Sequence, residues 1–356
     1  MIRSAARPIL PAIPHPTPKT TLLAMTIDTR TPSDSAQPID IDPIALPDVA
    51  DAPSAASADR LDWVGMDAID LPILLLDHAG CGMRVPARIS ALVDLRAGES
   101  RGIHMSRLYL QLDRVLSADP LTPRVLRELL HGFLASHEEL STRARVRIAF
   151  DLFLRRPALA SEHSGWRRYP VVVTASLQRD TLQRGTLQVQ IAFEVIYSST
   201  CPASAALARQ LVAEDFGRAF PREVPLDRIA IQHWLASEQG MRATPHSQRS
   251  VAAISVQIDT MLAALPLAAL IDRAETALAT PVQTAVKRID EQAFARRNGE
   301  NLMFCEDAAR RLQAAFDADA TVRDFHLRVS HRESLHAHDA VAEASKGGLC
   351  GSSDGA

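Results

Sequence analysis

The chain has 356 residues, of which 47% are hydrophobic and 23% are charged, and its formal net charge is -3. This composition supports one large or two ordinary globular domains and excludes a fibrous or fully disordered protein. Because 39 Lys and Arg residues are balanced by 42 Asp and Glu residues, no general basic charge is available for nucleic acid or an acidic membrane. An anionic partner therefore requires a local pocket.

Residues 1–60 are rich in proline and small polar residues, which predicts a disordered N-terminal segment. Apolar periodicity then changes between steps of two and steps of three to four residues. It predicts a strand, two helices and three long strands, at residues 84–95, 106–117, 122–137, 144–156, 169–180 and 185–199. For the second helix, Thr122 is the expected N-cap and Pro123 the first helical residue.

A second cycle follows an irregular, partly helical insertion at residues 203–243. It comprises a strand, two helices and a strand, at residues 249–259, 267–278, 301–316 and 324–334. The repeated order predicts an α+β fold with two similar modules, at 61–182 and 183–345, in which paired helices cover one face of antiparallel sheet. The Gly- and Ser-rich residues 346–356 are predicted to form a flexible tail.

The sequence also limits the cellular setting. The longest uncharged stretch, residues 260–271, is much shorter than the roughly 20 apolar residues of a membrane span, and residues 1–19 have prolines where a signal peptide needs an apolar core. The four cysteines are too few for a disulfide framework in a chain of this length; they are Cys81, Cys201, Cys305 and Cys350. We therefore expect a cytoplasmic protein with free thiols.

Several polar residues could carry chemistry, and each has a structural alternative. Cys201 follows a strand and could be a small buried apolar residue, and His246 in a turn could be a solvated hydrogen-bonding group. Glu306 at the start of a helix could simply complement the helix dipole. Near the C-terminus, His331, Glu333, His336 and His338 fall within eight residues. If this segment is extended, His336 and His338 share one face and could bind a metal or transfer protons, although an exposed polar edge would have the same composition.

A further basic group lies near the start of the first predicted helix. Arg101, His104 and Arg107 could form an anion site with the free N-H groups of the helix, or could be a subunit contact. The residues alone thus predict an α+β protein with a metal site built from Cys, His and Glu.

Six motifs taken together identify a family. The sequence contains, in this order, RGIHMSRL, STCP, TPHSQRS, KRIDEQAF, ENLMFCEDAARRL and HRESLHAHDA. In this order they resemble the type IB GTP cyclohydrolases, and the resemblance covers roughly Asp67 to Ala344. It implies a bimodular tunnelling fold, a homotetramer with shared active sites, and conversion of GTP to 7,8-dihydroneopterin triphosphate and formate. That product feeds folate and deazaguanine nucleoside synthesis.

The resemblance also implies roles for individual residues. The metal ligands are implied to be Cys201, His246, Glu291 and His336, and the metal to be divalent Mn, Zn or Fe. Glu306 corresponds to the family's anchor for the purine ring, and Cys201, Glu333 and His338 are implied to act in catalysis. The candidates for binding the rest of the substrate are His104, Arg107, Arg249, Lys287 and Arg288. The sequence departs from the family's Cys-Pro-Cys pattern at Ala203, so a second thiol is missing there.

Two other interpretations remain at this level. Another tunnelling-fold enzyme acting on a pterin or deazapurine is one, although a nitrile reductase of that fold would have a nucleophilic cysteine without surrounding metal ligands. A non-catalytic paralogue that binds metal or nucleotide is the other.

Overall fold

The computed structural model describes residues 59–77, 80–96, 101–179 and 185–349. The predictions made for residues 1–58 and 350–356 lie outside the described residues, as does the module boundary predicted near residue 182.

Within these ranges, eight strands form one antiparallel sheet in which every strand pairs with the next one along the chain. The strands are β1 Leu61–Leu76, β2 Gly82–Leu95, β3 Arg143–Pro157, β4 Ser164–Arg179, β5 Gly185–Thr200, β6 Ser247–Ile258, β7 Val322–His331 and β8 Ala340–Ser345. A single sheet therefore runs through both halves of the chain.

Apolar residues alternate along the strands and collect on one face of the sheet. Ile148 pairs with Val173, which in turn pairs with Ile191, and all three side chains are buried. The residues between them, such as Thr174 and Gln190, point to the opposite and more polar face. Burying a large aliphatic side chain contributes about 1.5–3 kcal/mol, so this row favours the observed register over a one-residue slip.

The helices are α1 Met105–Leu116, α2 Pro123–Ser136, α3 Pro202–Ala219, α4 Arg228–Leu235, α5 Leu267–Leu278, α6 Arg288–Glu300 and α7 Cys305–Asp317. The amphipathic helices α1, α2, α5 and α7 cover the apolar face of the sheet, whereas α4 has no buried residue and α3 buries only two alanines. Helix α2 packs on β3 and β4, and α7 packs on β7 and β8. The predicted start of α2 is confirmed, because Thr122 Oγ1 accepts a hydrogen bond of 3.2 Å from the Val125 amide. The predicted α+β class is confirmed as well.

Three elements were not predicted from the sequence. Strand β1 has register shifts and a positive φ at Ala68, which interrupt its alternation. Helix α6 buries only Asp290 and so lacks an apolar stripe, while β8 has only six residues, of which three are alanine. Strand β7 ends at His331, whereas the predicted strand continued to Ser334. The extended conformation considered for His336 and His338 was therefore wrong.

The insertion at residues 203–243 is mostly helical. It contains α3, α4 and a short 3₁₀ turn at Glu238–Gly240. Phe216, Phe220 and Trp234 pack their rings together with centroid separations of 5.0–5.8 Å, which fastens α4 to the end of α3.

Residues 346–349, at the start of the predicted tail, are held by the beginning of β7. Asp324 accepts hydrogen bonds from the amides of Gly347 and Leu349 at 2.8 and 3.1 Å. None of the helices in the described part of the chain combines the length and apolar character that crossing a bilayer requires.

A buried ionic group joins the β3–β4 hairpin to α5. Arg167 Nη1 and the Tyr169 hydroxyl both donate to Glu275 Oε1, at 2.6 and 2.5 Å. Burial, reinforced by Glu275, raises the pKa of Tyr169 to about 12, so its hydroxyl stays a donor at neutral pH. Arg156 completes the group by pairing with Glu275 and with the half-exposed Asp272.

Replacing Glu275 with Gln should lower the free energy of unfolding by about 1.5–3 kcal/mol, because the neutral amide removes the charge that strengthens both hydrogen bonds and turns a donor toward Arg156 in place of Oε2. Urea unfolding of purified protein measures this change. The matched variant Asp272→Asn removes an exposed partner of the same cluster and should cost less than about 1 kcal/mol. Equal losses in the two variants would contradict the importance of burial at this position.

Candidate active site

The end of β5 and the start of β6 bring a thiol and an imidazole together. Cys201 directly follows β5 and is the N-cap of α3, where its Sγ accepts from the Ser204 amide at 3.5 Å. Its own amide donates to the His246 carbonyl at 3.3 Å, and the His246 amide donates to Ser204 Oγ at 3.1 Å. The two candidate ligands are thus held on neighbouring backbone segments.

One ring nitrogen of His246 is oriented by oxygen atoms. Nδ1 lies 3.0 Å from Gln248 Oε1 and 3.6 Å from Glu333 Oε2. The amide of Gln248 is itself oriented, because its Nε2 donates to Ser199 Oγ at 2.9 Å. Metal-binding histidines usually have one nitrogen fixed in this way. The arrangement leaves Nε2 of His246 as the ring atom available for a ligand.

Glu306 lies in the first turn of α7, near the same end of β5. The amide of Met303, just before α7, donates to the Thr200 carbonyl at 3.1 Å, next to Cys201. Cys305 Sγ donates to Glu306 Oε2 at 3.3 Å. The backbone amide of Glu306 and then this thiol lower the pKa of the carboxyl, whereas burial raises the pKa of Cys305 to about 11. Glu306 is therefore an oriented carboxylate, and Cys305 remains a protonated donor.

A buried pair lies behind Glu306. The hydroxyl of Tyr197 and Nε2 of His331 are 2.9 Å apart, and both side chains are almost fully buried. Burial lowers the pKa of His331 to about 4, although the charge of Glu306 opposes the change. At neutral pH the imidazole is therefore uncharged and pairs with the Tyr197 hydroxyl.

Acidification should destabilise the protein between pH 6.5 and about pH 4. Because the pKa of His331 is about 4 in the folded protein and its ordinary value is 6.5, the unfolded chain binds more protons in this interval. The contribution of the neutral His331 to stability, up to about 3 kcal/mol, is then fully present above pH 6.5 and is lost as the pH falls through 4. Urea unfolding at pH 7 and pH 4.5 measures the loss. It should shrink in His331→Gln and persist in His233→Gln, an exposed histidine of α4; equal pH dependence in the two variants would refute this assignment.

Six other predicted residues are exposed on the second half of the chain. Lys287 is the N-cap of α6, with Arg288 and Glu291 in the following turn, and Arg249 lies near the start of β6. His336 lies in the loop after β7, and its ring stacks on that of His338 with centroids 5.1 Å apart. The two histidines share a face because their rings stack.

His104 and Arg107 belong to the first half. His104 is the N-cap of α1, and Arg107 Nη1 donates to the Ser136 carbonyl at the end of α2 at 2.9 Å. Helix α1 packs on α2 and β1. Because α1 lies against β1, the anion site considered at its start is not next to Cys201 and His246, which adjoin β5 and β6.

The predicted metal ligands are only partly gathered. Cys201 and His246 are adjacent, whereas Glu291 and His336 form no side-chain hydrogen bond or ion pair with them in the described residues of one chain. Within the described ranges, no group of three or more His, Cys, Asp or Glu residues is arranged to hold a metal ion. The thiol and the oriented imidazole nevertheless fit a divalent metal by donor chemistry.

Comparison with known proteins decides the family. Residues 46–342 match the family model described as "GCHY-1: Type I GTP cyclohydrolase folE2". The chain is 44% identical over 302 residues to GTP cyclohydrolase FolE2 of Pseudoalteromonas translucida (strain TAC 125), covering 85% of this chain and 98% of that protein. It is 49% identical over 299 residues to the FolE2 protein of Pseudomonas putida (strain GB-1), covering 84% and 95%. The chain belongs to the type I GTP cyclohydrolase FolE2 family.

All predicted site residues, from His104 to His338, fall within the range that matches the FolE2 family. Among solved structures, the uricase from Arthrobacter globiformis resembles this chain with a TM-score of 0.44 and 9% identity, over 81% of this chain and 95% of the uricase. That likeness is too distant to add to the fold described above.

Two residues of the site were missed by sequence reasoning. Tyr197 and Gln248 look like ordinary strand positions in the sequence, and their roles depend on partners on neighbouring strands. A polar residue on the buried face of a strand is the only signal that could have indicated them.

Proposed function

We propose that this chain is a metal-dependent GTP cyclohydrolase, which converts GTP and water to 7,8-dihydroneopterin triphosphate and formate. Its place would be early in folate or deazaguanine nucleoside synthesis, in the cytoplasm. Family membership supports the reaction class. The observation that carries the proposal is that Cys201, after β5, and His246, before β6, lie on hydrogen-bonded backbone segments, with Glu333 Oε2 3.6 Å from His246 Nδ1. Glu306 begins α7, which the Met303 amide joins to the Thr200 carbonyl next to Cys201.

Glu306 is proposed to hold the guanine ring. A carboxylate can accept two parallel hydrogen bonds from the ring N-H and the amino group of guanine, and adenine lacks this donor pair. The lowered pKa of Glu306 favours the ionised form that this role requires. Its hydrogen bond from Cys305 restricts the carboxylate to one orientation.

Basic side chains are proposed to bind the triphosphate. Lys287 and Arg288 are exposed at the N-terminus of α6, where the helix dipole adds to their positive charge. Arg249, in the exposed row of β6, is the third candidate. His104 and Arg107 would act from the first half of a neighbouring subunit.

Cys201 and His246 are proposed as metal ligands, with Glu291 and His336 completing the set. A divalent ion held there would supply hydroxide near neutral pH, since coordination lowers the pKa of water from 15.7 to about 7. One thiolate with imidazole and carboxylate suits zinc, while manganese and iron also accept the nitrogen and oxygen ligands. We therefore propose a divalent metal, which is Mn, Zn or Fe.

Glu333 and His338 are proposed to move protons during ring opening and reclosure. Glu333 Oε2 is 3.6 Å from His246 Nδ1, and its side chain is only 14% exposed. A carboxylate so placed can hold the imidazole in one tautomer and accept a proton from the substrate. The ring of His338 is exposed and stacks on that of His336, and an imidazole has one nitrogen that can donate a proton and one that can accept it.

A homotetramer with shared active sites is proposed for the assembly. Its support is the incomplete ligand set within the described part of one chain. Exposed apolar residues on α3 and α4, such as Leu207 and Ile229, are suited to subunit contacts.

The proposed function is tested by turnover. Full-length protein is stripped with chelator and given GTP with manganese, zinc or iron, and the oxidised product is read as neopterin fluorescence. Fluorescence that requires added metal is the expected result. Folded protein that yields none with any of these metals would mean that the scaffold serves binding alone.

A further inference from the structure

Asp290 is the only fully buried residue of helix α6. It occupies the third position of α6, next to Glu291, and is 0% exposed. Aspartate is almost never fully buried unless its charge has partners. Its position therefore requires an explanation beyond helix formation.

The partners come from two distant parts of the chain. Asp290 Oδ1 accepts from the amides of Ala160 and Ser161 at 2.7 and 2.8 Å. Oδ2 accepts from the Ser161 hydroxyl at 2.6 Å and from the Lys287 amide at 2.8 Å. One carboxylate thus caps α6 and fastens the cap to the β3–β4 connection of the first half.

Two further contacts hold the segment that leads into α6 on the same hairpin. The guanidinium of Arg167 donates to the Val282 carbonyl. At Gly165, a Cβ atom would lie 2.3 Å from Thr284 Oγ1, so only glycine permits this approach. The β3–β4 hairpin is therefore a platform for residues 282–290.

The platform determines where three candidate site residues point. Arg288 and Glu291 are three positions apart, so they share a helix face that Asp290 does not occupy, and Lys287 is the N-cap directly before them. All three side chains are exposed. A shift of the α6 start on the hairpin would displace all three together.

We propose that Asp290 is a positioning residue of the active site. By bonding Ala160 and Ser161, it fixes the start of α6 so that Lys287 and Arg288 reach the triphosphate and Glu291 reaches the metal. This inference rests on the proposed function. It assigns to the first half of the chain a part in arranging residues of the second half.

Two variants separate the cap from the platform. In Asp290→Asn, the amide nitrogen cannot accept from the Lys287 amide, so the cap and the charge are lost. Ser161→Ala removes the hydroxyl contact from the platform and leaves the cap intact. The matched control is Asp227→Ala, which removes the cap of α4, where Asp227 accepts from the Ile229 and Ala230 amides.

The measurements are kcat and KM for GTP in metal-loaded full-length protein, inhibition by inorganic triphosphate, and hydrogen exchange of the α6 amides. In Asp290→Asn, KM and the inhibition constant should both rise about 10- to 100-fold, the usual effect of losing an outer-shell partner. Ser161→Ala should give a smaller rise of both constants, with faster exchange at the start of α6. Asp227→Ala should leave both constants unchanged.

A lower melting temperature in Asp290→Asn with unchanged KM and triphosphate inhibition would overturn the inference and leave the proposed function intact. If the wild type turns over no GTP, the proposed function fails separately. Direct binding of inorganic triphosphate is then measured. Weaker binding by Asp290→Asn than by the wild type supports the positioning role. Equal binding by the two proteins, or no binding by the wild type, overturns it.

Discussion

Replacing Cys201 with alanine should abolish metal-dependent turnover of GTP, with kcat falling by about 10³-fold or more, as expected for loss of an essential active-site group. A hydrogen bond from the Cys201 amide to the His246 carbonyl holds the two residues side by side. The substitution removes the thiol and leaves only nitrogen and oxygen ligands. The folded structure should persist, because Cys201 is only partly buried and its Sγ accepts one long hydrogen bond.

Metal content after dialysis and initial rates of neopterin formation measure this effect. The matched control is Cys81→Ala, which removes an exposed thiol in the turn between β1 and β2. It should keep wild-type metal content and rate. Retained turnover in Cys201→Ala, at wild-type metal content, would show that Cys201 is not a ligand.

Replacing Glu306 with Gln should weaken transition-state binding by about 2–5 kcal/mol, which lowers kcat/KM for GTP roughly 30- to 4,000-fold. The amide offers one acceptor and one donor where guanine presents two donors, so one substrate N-H is left unpaired. The change keeps the shape of the side chain at the start of α7. Metal content should be unaffected.

Discrimination between GTP and inosine triphosphate gives the sharper measurement. Inosine lacks the amino group, so the wild type should strongly prefer GTP and Glu306→Gln should lose most of that preference. Glu128→Gln, on the exposed face of α2, is the control and should keep it. An unchanged preference in Glu306→Gln would contradict the role of this carboxylate in binding guanine.

Much of the fold could be predicted because its signals are local. The long strands β3, β4 and β5 alternate apolar and polar residues, and α2 has both a threonine cap and a proline at its first position. Helix α6 could not be predicted in this way. It is stabilised by Asp290, whose partners Ala160 and Ser161 are about 130 positions away in the sequence.

The candidate site was predicted by resemblance, and its internal arrangement was not. Motif order singled out Cys201, His246 and Glu306, whose roles stay predictions. The pairing of Tyr197 with His331 depends on strand register, which places both residues opposite Ser250. Side-chain alternation along one strand carries no information about the neighbour across the sheet.

Metal binding by Cys201 and His246 is tested most directly by anomalous diffraction from crystals of the full chain grown with manganese or zinc. We expect one strong anomalous difference peak per chain, about 2.3 Å from Cys201 Sγ for zinc and within bonding distance of His246 Nε2. Glu291 and His336 should complete the coordination. A peak remote from Cys201, in protein that turns over GTP with the same metal, would contradict the account.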